Sequence, residues 1–381
     1  MKLKTNVLVL MALMSTLVFS QNNWCGTEDL FWEQVENDVE YHNRWMLSKA
    51  GYTEYMRSTE RSVGGQQYTF PLVFHVLWDD STDNVSEYLS DIVDLVNIDY
   101  RRLNTDAGNT RTIFQSFADD MGIEFRFASV DPQGNSTDGI ITVNVPSNDY
   151  HIKNDGLAIR SNSTLWDQEK YINVYVIEST ATFIDTINGV PQNKVTAGVS
   201  SFPWSDTFAV YIDYNELSDP SGSSGHRTLV HELGHFLGLH HLWFDSDSVG
   251  CVDGEYNQPD CGDLGDGVCD TPPELYPNIS ACDFSVNDCG NLGTLCFPDM
   301  VENYMSQTER SCQNIFTEGQ RTRVQYFIIH TYDQLWHADA FKATGVFGTI
   351  TSEEPLGGNI VADPQGDYMS AGSQSAPLRG T

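Results

Sequence analysis

Four histidines fall within eleven residues, in the segment HELGHFLGLHH at 231–241. On a helix, His231 and His235 lie four positions apart and project from the same face, so both imidazoles can bind one ion. Gly238 allows the chain to leave the helix in a left-handed conformation and turn back. That return would bring His241 to the ion as a third ligand. The pattern therefore predicts a metal site with three histidine ligands.

Three neutral histidines leave a fourth position for water, which is typical of a catalytic rather than a structural zinc site. The zinc would lower the pKa of that water and polarise a peptide carbonyl. Glu232 would take the proton and pass it to the leaving amine, while His240 should point elsewhere. The alternative is a helix with satisfied surface histidines, which the concentration of four of the chain's ten histidines in this segment disfavours.

The full segment resembles the HExxHxxGxxH motif of the metzincin metalloproteases. Members of that group place a methionine in a tight turn beneath the metal ligands, and Met305 is the candidate for this structural turn. The segments at 70–76, 265–272 and 302–320 are similar to those of the pappalysin family, including its ulilysin-like cytophagalysins. The resemblance covers roughly residues 65–335 and implies a secreted zinc endopeptidase with the metzincin fold.

One position departs from the family pattern. The second residue after the turn methionine is typically a tyrosine thought to stabilise the tetrahedral intermediate, and here it is Gln307. Glutamine can donate a hydrogen bond, so Gln307 is the candidate transition-state stabiliser. The alternative function is a catalytically weak or inactive relative that binds peptides or an adhesion partner, although intact Glu232 argues against it. A third hypothesis is an interaction protein that is stabilised by calcium, and it predicts no tightly bound zinc.

The sequence Cys25-Gly26-Thr27 resembles the prosegment cysteine of ulilysin-like zymogens. A Cys25 thiolate would occupy the fourth zinc position and hold the enzyme latent; the alternative is that Cys25 closes a disulfide. Activation would need a cut between the prosegment and the first strand, where Arg57 and Arg61 are candidates.

All eight cysteines lie outside the N-terminal signal, and an even number in an exported protein suggests disulfides. Seven cannot all pair among themselves, so either one is free or the eighth has a separate role. The resemblance favours a link from Cys251 to the region 282–289, and one from Cys312 to Cys296 or Cys289. The disulfide candidates are Cys251, Cys261, Cys269, Cys282, Cys289, Cys296 and Cys312.

The span 245–274 holds nine carboxylates, and no lysine or arginine occurs from 228 to 309. So much unpaired negative charge favours a hard cation, and calcium with oxygen ligands suits it. Relatives in the family bind calcium near the corresponding segment; the alternative is a solvated acidic loop. The candidate calcium ligands are Asp253, Asp266, Asp270 and Thr271.

The substrate is expected to be a protein or peptide that lies extended along an edge strand of the sheet. The family includes enzymes that prefer arginine or lysine after the scissile bond, and an acidic cleft would suit that preference. Arg310 lies near the predicted specificity pocket, beside Glu309, and would oppose it. The specificity therefore stays open.

Composition and the N-terminus indicate where the protein acts. With 20 basic and 53 acidic residues the formal net charge is −33, which argues against nucleic-acid or anionic-lipid partners. Lys2 and Lys4 precede an apolar run over 7–19, and Ser20 leads into polar residues, which is typical of a secretory signal peptide too short to span a membrane. We expect a secreted monomer with no membrane span.

The elements that would position the site follow an α+β pattern with an α/β-like first half. A helix over 89–103, with Asn84 and Glu87 as its capping box, would pack on the sheet, and Thr317 with Gln320 would cap a helix near 318–336. Alternating segments predict strands at 68–78, 122–130, 171–177 and 208–212, with loops that include 185–193.

The predicted fold is a metzincin zincin fold. A twisted, mostly parallel sheet with backing and active-site helices forms the upper half, and an irregular disulfide-braced lower half ends in a helix. The predicted divisions are a signal peptide at 1–20, a prosegment at 21–62, a catalytic domain at 63–340 divided near 241, and a flexible tail or linker at 341–381.

Overall fold

The computed structural model describes residues 24–58, 67–79, 84–146, 150–178, 183–187, 190–194, 196–217, 224–244, 265–274, 282–287, 298–346, 360–362 and 368–370. The predicted signal peptide and the candidate cut at Arg61 lie outside these residues. Within the part of the chain that is described, no helix is long and apolar enough to cross a membrane.

The α-helices are α1 (Thr27–Asn37), α2 (Val39–Arg57), α3 (Leu89–Tyr100), α4 (Gly156–Asn162), α5 (Tyr214–Leu217), α6 (His226–Phe236), α7 (Glu318–His330) and α8 (Ala338–Thr344). Short 3-10 helices lie at Val85–Glu87, Ala107–Asn109, Arg310–Cys312 and Asp333–Trp336. The strands are β1 (Tyr68–Trp78), β2 (Ala118–Asp119), β3 (Ile123–Phe127), β4 (Ile140–Asn144), β5 (Ile172–Ile177), β6 (Phe183–Ile187), β7 (Val190–Lys194), β8 (Gly198–Ser200), β9 (Val210–Asp213), β10 (Phe316–Thr317), β11 (Ile360–Ala362) and β12 (Tyr368–Ser370).

A parallel-dominated sheet forms the upper half, in the order β3-β1-β5-β9-β8, with β4 paired to the second half of β1. Strands β1, β3, β4, β5 and β9 run parallel, and β8 lies antiparallel to β9 at the edge. The central strands are buried on both faces, as expected for a sheet covered by helices. The predicted mixed fold with a mostly parallel sheet is confirmed.

Helices α3 and α6 pack against each other behind the sheet. The hydroxyl of Tyr100 in α3 donates to the backbone oxygen of Val230 in α6 at 3.1 Å. The carboxylate of Asp99 accepts from Arg227 at 3.2 Å, and both side chains are largely buried. These contacts fix the helix that carries HELGH against the body of the molecule.

The cap and the end of α3 differ from the prediction, whereas its start at Leu89 agrees with it. Asn84 does not form a capping box with Glu87, because its side chain accepts from the backbone N–H of Ser86 in a 3-10 turn and α3 begins only at Leu89. The helix ends at Tyr100 because Arg102 adopts a positive φ of 51°.

The predicted loop at 185–193 is also wrong. Strands β6 and β7 pair antiparallel there, with Ile187 opposite Val190. The sequence between these two residues is Asn188-Gly189, which is a strong signal for a two-residue hairpin connection and was the overlooked indication.

The lower half ends in α7, whose capping box of Thr317 and Gln320 is confirmed. After α7, the hydroxyl of Tyr332 donates to the backbone oxygen of Phe236 at 2.6 Å, and the two rings stack with centroids 4.8 Å apart. Helix α8 continues to Thr344, beyond the predicted domain boundary at 340, and its Phe341 is fully buried.

The observed disulfide joins Cys282 to Cys312, whose Cα atoms lie 5.5 Å apart. This corrects the expectation that Cys312 pairs with Cys296 or Cys289, because the loop at 282–287 folds against the segment after the methionine turn. Cys269 is also disulfide-bonded, and Cys25 is free and buried. The other candidates, Cys251, Cys261, Cys289 and Cys296, lie outside the described residues.

A buried ion pair ties the lower half to the loop after α3. The fully buried carboxylate of Glu302 accepts from the guanidinium of Arg111 at 2.6 Å and from the backbone N–H of Arg111 at 3.0 Å. Glu302 directly precedes the turn that contains Met305, so the pair holds this turn in place.

We expect Glu302→Ala to lower the free energy of unfolding by about 3 kcal/mol, because it leaves the Arg111 guanidinium uncompensated in a largely buried site. The matched control is Glu124→Ala, whose partner Arg126 is more exposed and whose loss should cost at most about 1 kcal/mol. Urea unfolding of the two variants checks this. Equal losses would contradict the structural role of Glu302.

Candidate active site

Three imidazoles converge at one point where α6 ends. His231 and His235 project from the same face of α6, and the chain turns back after it to bring His241 beside them. The Nε2 atom of His241 lies 3.1 Å from that of His231 and 3.0 Å from that of His235, and the latter two are 3.0 Å apart. We call these residues the three-histidine cluster.

In His231 and His235, a hydrogen bond at Nδ1 determines which ring nitrogen carries the proton. The Nδ1 atom of His231 lies 2.6 Å from the backbone oxygen of Tyr304, and that of His235 lies 2.7 Å from the backbone oxygen of Leu239. A carbonyl oxygen only accepts, so each Nδ1 carries the proton and each Nε2 keeps a bare lone pair. Lone pairs this close repel one another unless a cation lies between them, so the donor set fits a zinc ion.

Cys25 completes a four-atom donor set. Its Sγ atom lies 3.5 Å from the Nε2 atom of His235, and all four donor atoms lie within 4.8 Å of one another. Among the described residues, this is the only group of three or more His, Cys, Asp or Glu side chains that could share a metal ion. Imidazole nitrogen and thiolate sulfur are both usual zinc ligands, and four of them match the tetrahedral coordination of the ion.

The electrostatics of the site follow from its burial. Burial lowers the pKa of His231, His235 and His241 well below the usual range, which keeps the imidazoles neutral. Burial raises the pKa of Glu232 to about 8, and burial with the nearby Glu232 carboxylate raises the pKa of the Cys25 thiol. A divalent cation would favour the thiolate and the carboxylate instead.

The return of the chain after α6 depends on Gly238. Its φ of +99° lies in the region that favours glycine, and a Cβ atom there would lie 2.2 Å from the ring of Phe327. The side chain of Arg323 donates to the Gly238 oxygen at 2.7 Å. His240 points away from the three-histidine cluster and stacks on Phe244 with centroids 3.7 Å apart.

Met305 lies directly beneath α6. Its sulfur would be 2.6 Å from a Cβ atom at Gly234, so the turn packs against the helix turn that separates the first two histidines. Asn303 shapes the turn by accepting from the backbone N–H of Met305 at 2.9 Å. The Asn303 amide pairs reciprocally with that of Gln320 at 3.0 and 2.9 Å, so the capping residue of α7 also supports the turn.

Glu232 and Gln307 both reach the space beside the cluster, and both contact the N-terminal segment. The Glu232 carboxylate accepts from the hydroxyl of Thr27 at 2.8 Å. The side-chain amide of Gln307 donates to the backbone oxygen of Cys25 at 3.3 Å. Tyr304 is buried in the core, where only its backbone oxygen contacts the cluster through His231.

The chain before α1 lies along the free edge of β8. The backbone N–H of Gly26 donates to the oxygen of Gly198 at 3.0 Å, and that of Ala197 donates to the oxygen of Trp24 at 2.7 Å. Cys25 pairs with Gly198 in the parallel direction. The edge that was expected to bind substrate is therefore covered by the predicted prosegment.

Three residues of this segment contact the site although the sequence did not predict a role for them. Trp24 packs on His231 with ring centroids 4.6 Å apart, Thr27 binds Glu232, and the Glu28 carboxylate accepts from the Nδ1 atom of His241 at 2.7 Å. No sequence pattern indicates these contacts, because each joins positions more than 200 residues apart.

The described calcium candidates bind protein donors. The carboxylate of Asp266 accepts from the hydroxyl of Thr271 at 2.7 Å, and that of Asp270 accepts from the hydroxyl of Thr317 at 2.6 Å. These residues do not converge on a common point with a third acidic group among the described residues. Asp253 lies outside the described residues, so calcium binding stays a prediction.

Comparison with known proteins supports the resemblance found in the sequence. Residues 158–329 match the Peptidase_M43 family model, described as pregnancy-associated plasma protein-A. An extracellular metalloprotease of Arthroderma benhamiae is 32% identical over 154 residues, which are 39% of this chain and 44% of that relative. One of Arthroderma otae is 37% identical over 98 residues, 26% of this chain and 30% of that relative. The chain thus matches less than half the length of these relatives.

Solved structures show the same fold. A mutant of Tannerella forsythia promirolysin superposes with a TM-score of 0.64 at 23% identity and covers 84% of this chain and 99% of its own. Mature mirolysin from the same organism, in complex with a cleaved peptide, gives a TM-score of 0.58 at 25% identity and covers 74% and 99%. The predicted resemblance to pappalysin-type metzincins is confirmed.

Two adjacent histidines offer a matched test of the metal site. We expect His241→Phe to weaken zinc binding by more than the 10–100-fold typical for loss of an outer-shell partner, because it removes a donor. His240→Phe should bind zinc as the unchanged chain does, because the ring at 240 stacks within an aromatic cluster. Competition with a chromogenic chelator measures both affinities. Equal weakening, or none, would contradict the proposed ligand set.

Proposed function

We propose that this chain is a secreted zinc endopeptidase made as a latent zymogen. The observation that carries the proposal is the three-histidine cluster, whose bare Nε2 atoms lie about 3 Å apart. Glu232 lies on α6, the helix that also carries His231 and His235. The peptidase family match over 158–329 and the relatives named as extracellular metalloproteases support the same conclusion. The N-terminal signal pattern supports secretion.

In the proposed reaction His231, His235 and His241 hold the zinc. When bound, zinc supplies Lewis-acid chemistry, polarising the scissile carbonyl and acidifying water. Glu232 accepts the proton of the attacking water and later gives it to the leaving amine, which breaks the peptide bond. Its place suits this role, because Glu232 directly follows His231 on α6 and a divalent cation beside it would favour the carboxylate form that takes the proton.

Gln307 is proposed to stabilise the oxygen that gains negative charge. Its amide donates at 3.3 Å to the backbone oxygen of Cys25, the residue whose thiol belongs to the metal donor set. The amide is therefore placed to donate to a carbonyl oxygen of a chain bound at this edge. Such a donor contributes about 10²–10³ in kcat when it is aligned with the developing charge.

Latency is proposed to arise from Cys25 and its neighbours. The Cys25 sulfur would take the position that water needs, and the Thr27 hydroxyl holds the Glu232 carboxylate at 2.8 Å. The superposition on promirolysin supports this, because it covers 84% of this chain, compared with 74% for the mature form. The difference, about a tenth of the chain, is close to the length of the segment 24–58.

Calcium is proposed as a second, structural metal of the acidic segment 245–274. This proposal is supported by the negative charge of the segment. Its sequence contains nine carboxylates, and no lysine or arginine occurs between 228 and 309. Because the described Asp266 and Asp270 already accept from protein hydroxyls, a calcium site would draw on Asp253 and its acidic neighbours for most of its ligands.

A catalytically weak peptide-binding relative is the second candidate, and the observation behind it is glutamine rather than tyrosine at position 307. A protein of this kind would bind zinc and pair with a peptide along the same edge strand, but it would not cleave the peptide. It is separated from the first by measuring activity and zinc content on the same sample.

We expect Glu232→Gln to lower kcat/KM for peptide hydrolysis by about 10²–10⁴ while zinc content stays at one per chain, because only proton transfer is lost. The assay uses the full chain activated by limited proteolysis, with a zinc chelator as a second way to abolish activity. Glu124→Gln, which changes a partly exposed acid on β3, is the matched control. One bound zinc without cleavage by the unchanged chain would instead establish the binding protein.

A further inference from the structure

Trp24 fills a pocket beside the three-histidine cluster. Its ring centroid lies 4.6 Å from that of His231, and its Nε1 atom donates to the backbone oxygen of Gln307 at 3.3 Å. The guanidinium carbon of Arg310 lies over the indole, 4.4 Å from the centroid. Only 8% of Trp24 is exposed. The pocket is therefore large enough for an indole and lined by groups that bind one.

The guanidinium of Arg310 is held in place through its edge. One terminal nitrogen lies 2.9 Å from the carboxylate of Glu216, and Nε donates to the hydroxyl of Thr228. The Thr228 hydroxyl in turn donates to Glu216 at 2.7 Å. The Arg310 backbone oxygen accepts from Arg227 at 3.1 Å. The edge of the Arg310 guanidinium is thus hydrogen-bonded to Glu216 and Thr228, and its face packs on the Trp24 indole. The Glu216 carboxylate already accepts hydrogen bonds from Arg310 and Thr228.

We infer that Arg310 makes this pocket select an aromatic side chain and reject lysine and arginine, an inference that rests on the proposed peptidase function. An aromatic ring can stack on the guanidinium face as the Trp24 indole does. A basic side chain would instead bring a second cation against Arg310, and the Glu216 carboxylate that could balance it already pairs with Arg310 at 2.9 Å.

The direction of the backbone assigns the pocket to one side of the scissile bond. Cys25 runs parallel to β8, so Trp24 lies toward Ala197 at the start of that strand. A substrate that runs antiparallel to β8 carries its next residue toward the same position. For a substrate in this direction, the pocket receives the side chain that follows the scissile bond.

The first test uses the full, zinc-loaded chain and needs no turnover. Cys25 is buried while the N-terminal segment is seated, so its rate of modification by a thiol reagent reports release of that segment. We expect Trp24→Phe to react at about the rate of the unchanged chain and Trp24→Arg to react more than tenfold faster. Trp24→Met, of similar bulk without a ring, should lie between them, and Cys25→Ala gives the background rate.

Arg310→Met tests the origin of the effect. In this background, Trp24→Arg should accelerate labelling by less than threefold, because the opposing cation is gone. Arg126→Met, which removes an arginine that pairs with Glu124 away from the site, should leave the tenfold effect unchanged. Equal labelling of the Trp24→Phe and Trp24→Arg chains, or an unchanged effect in Arg310→Met, would overturn the inference.

The second test is cleavage of peptides that differ only in the residue after the scissile bond. The proteolytically activated chain should cleave those with tryptophan, phenylalanine or tyrosine at least tenfold faster than those with lysine or arginine, and Arg310→Met should reduce this ratio to a few-fold. Cleavage with a preference for basic residues there, or for aromatic residues before the bond, would overturn the inference and leave the peptidase function intact. A chain that cleaves no peptide overturns both.

Discussion

The structure depends on bringing three imidazole lone pairs within about 3 Å of one another. Without a cation this arrangement is unfavourable, so other parts of the fold must hold each ring. One ring is fixed by the carbonyl of Tyr304 from the lower half, and another by that of Leu239 within the return turn. The third is fixed by Glu28 from the N-terminal segment. Each half of the molecule therefore contributes to orienting the three-histidine cluster.

The same constraint explains the supporting architecture. Helix α6 needs Asp99 and Tyr100 of α3 behind it, and the turn at Met305 needs the amide pair of Asn303 and Gln320 beneath it. Buried polar groups of this kind are stable only when every partner is present. An error in the lower half, such as loss of the Glu302 ion pair, would therefore be transmitted to the metal site through the turn.

In the proposed zymogen, the N-terminal segment blocks the active site by binding to the groups that would carry out catalysis. Backbone pairing with β8 sets its register. That register places the Cys25 thiol beside the three-histidine cluster, the Thr27 hydroxyl on the Glu232 carboxylate and the Trp24 indole in the neighbouring pocket. The group that the segment presents to the three-histidine cluster is the side chain of Cys25. In the proposed zymogen, the same few contacts account for binding and for latency.

Local signals in the sequence predicted what local chemistry determines. Strand β1 has the predicted bounds, Thr317 and Gln320 cap their helix, and Gly238 takes the left-handed conformation that the turn requires. Predictions failed where distant parts of the chain decide the outcome, as in the pairing of Cys282 with Cys312. The contacts of the N-terminal segment with the site could not be predicted for the same reason.

Predictions from short sequence patterns also failed where two such patterns overlap. At Asn84 the shorter 3-10 turn forms instead of the predicted capping box, and the Asn188-Gly189 signal outweighs the polar composition that suggested a loop. In both cases the residue types were informative, but their spacing admitted a second local structure. The pattern at 231–241 has no such competitor, which is why it carried most of the functional prediction.

The central claim is that one zinc ion is shared by the histidines of the catalytic domain and the cysteine of the N-terminal segment. X-ray absorption at the zinc edge of the full chain tests it most directly. The account predicts three nitrogen neighbours at about 2.0 Å and one sulfur at about 2.3 Å. After the N-terminal segment is removed, the sulfur should be replaced by a light atom. A full chain whose zinc has no sulfur neighbour, or a sulfur that persists after removal, would contradict it.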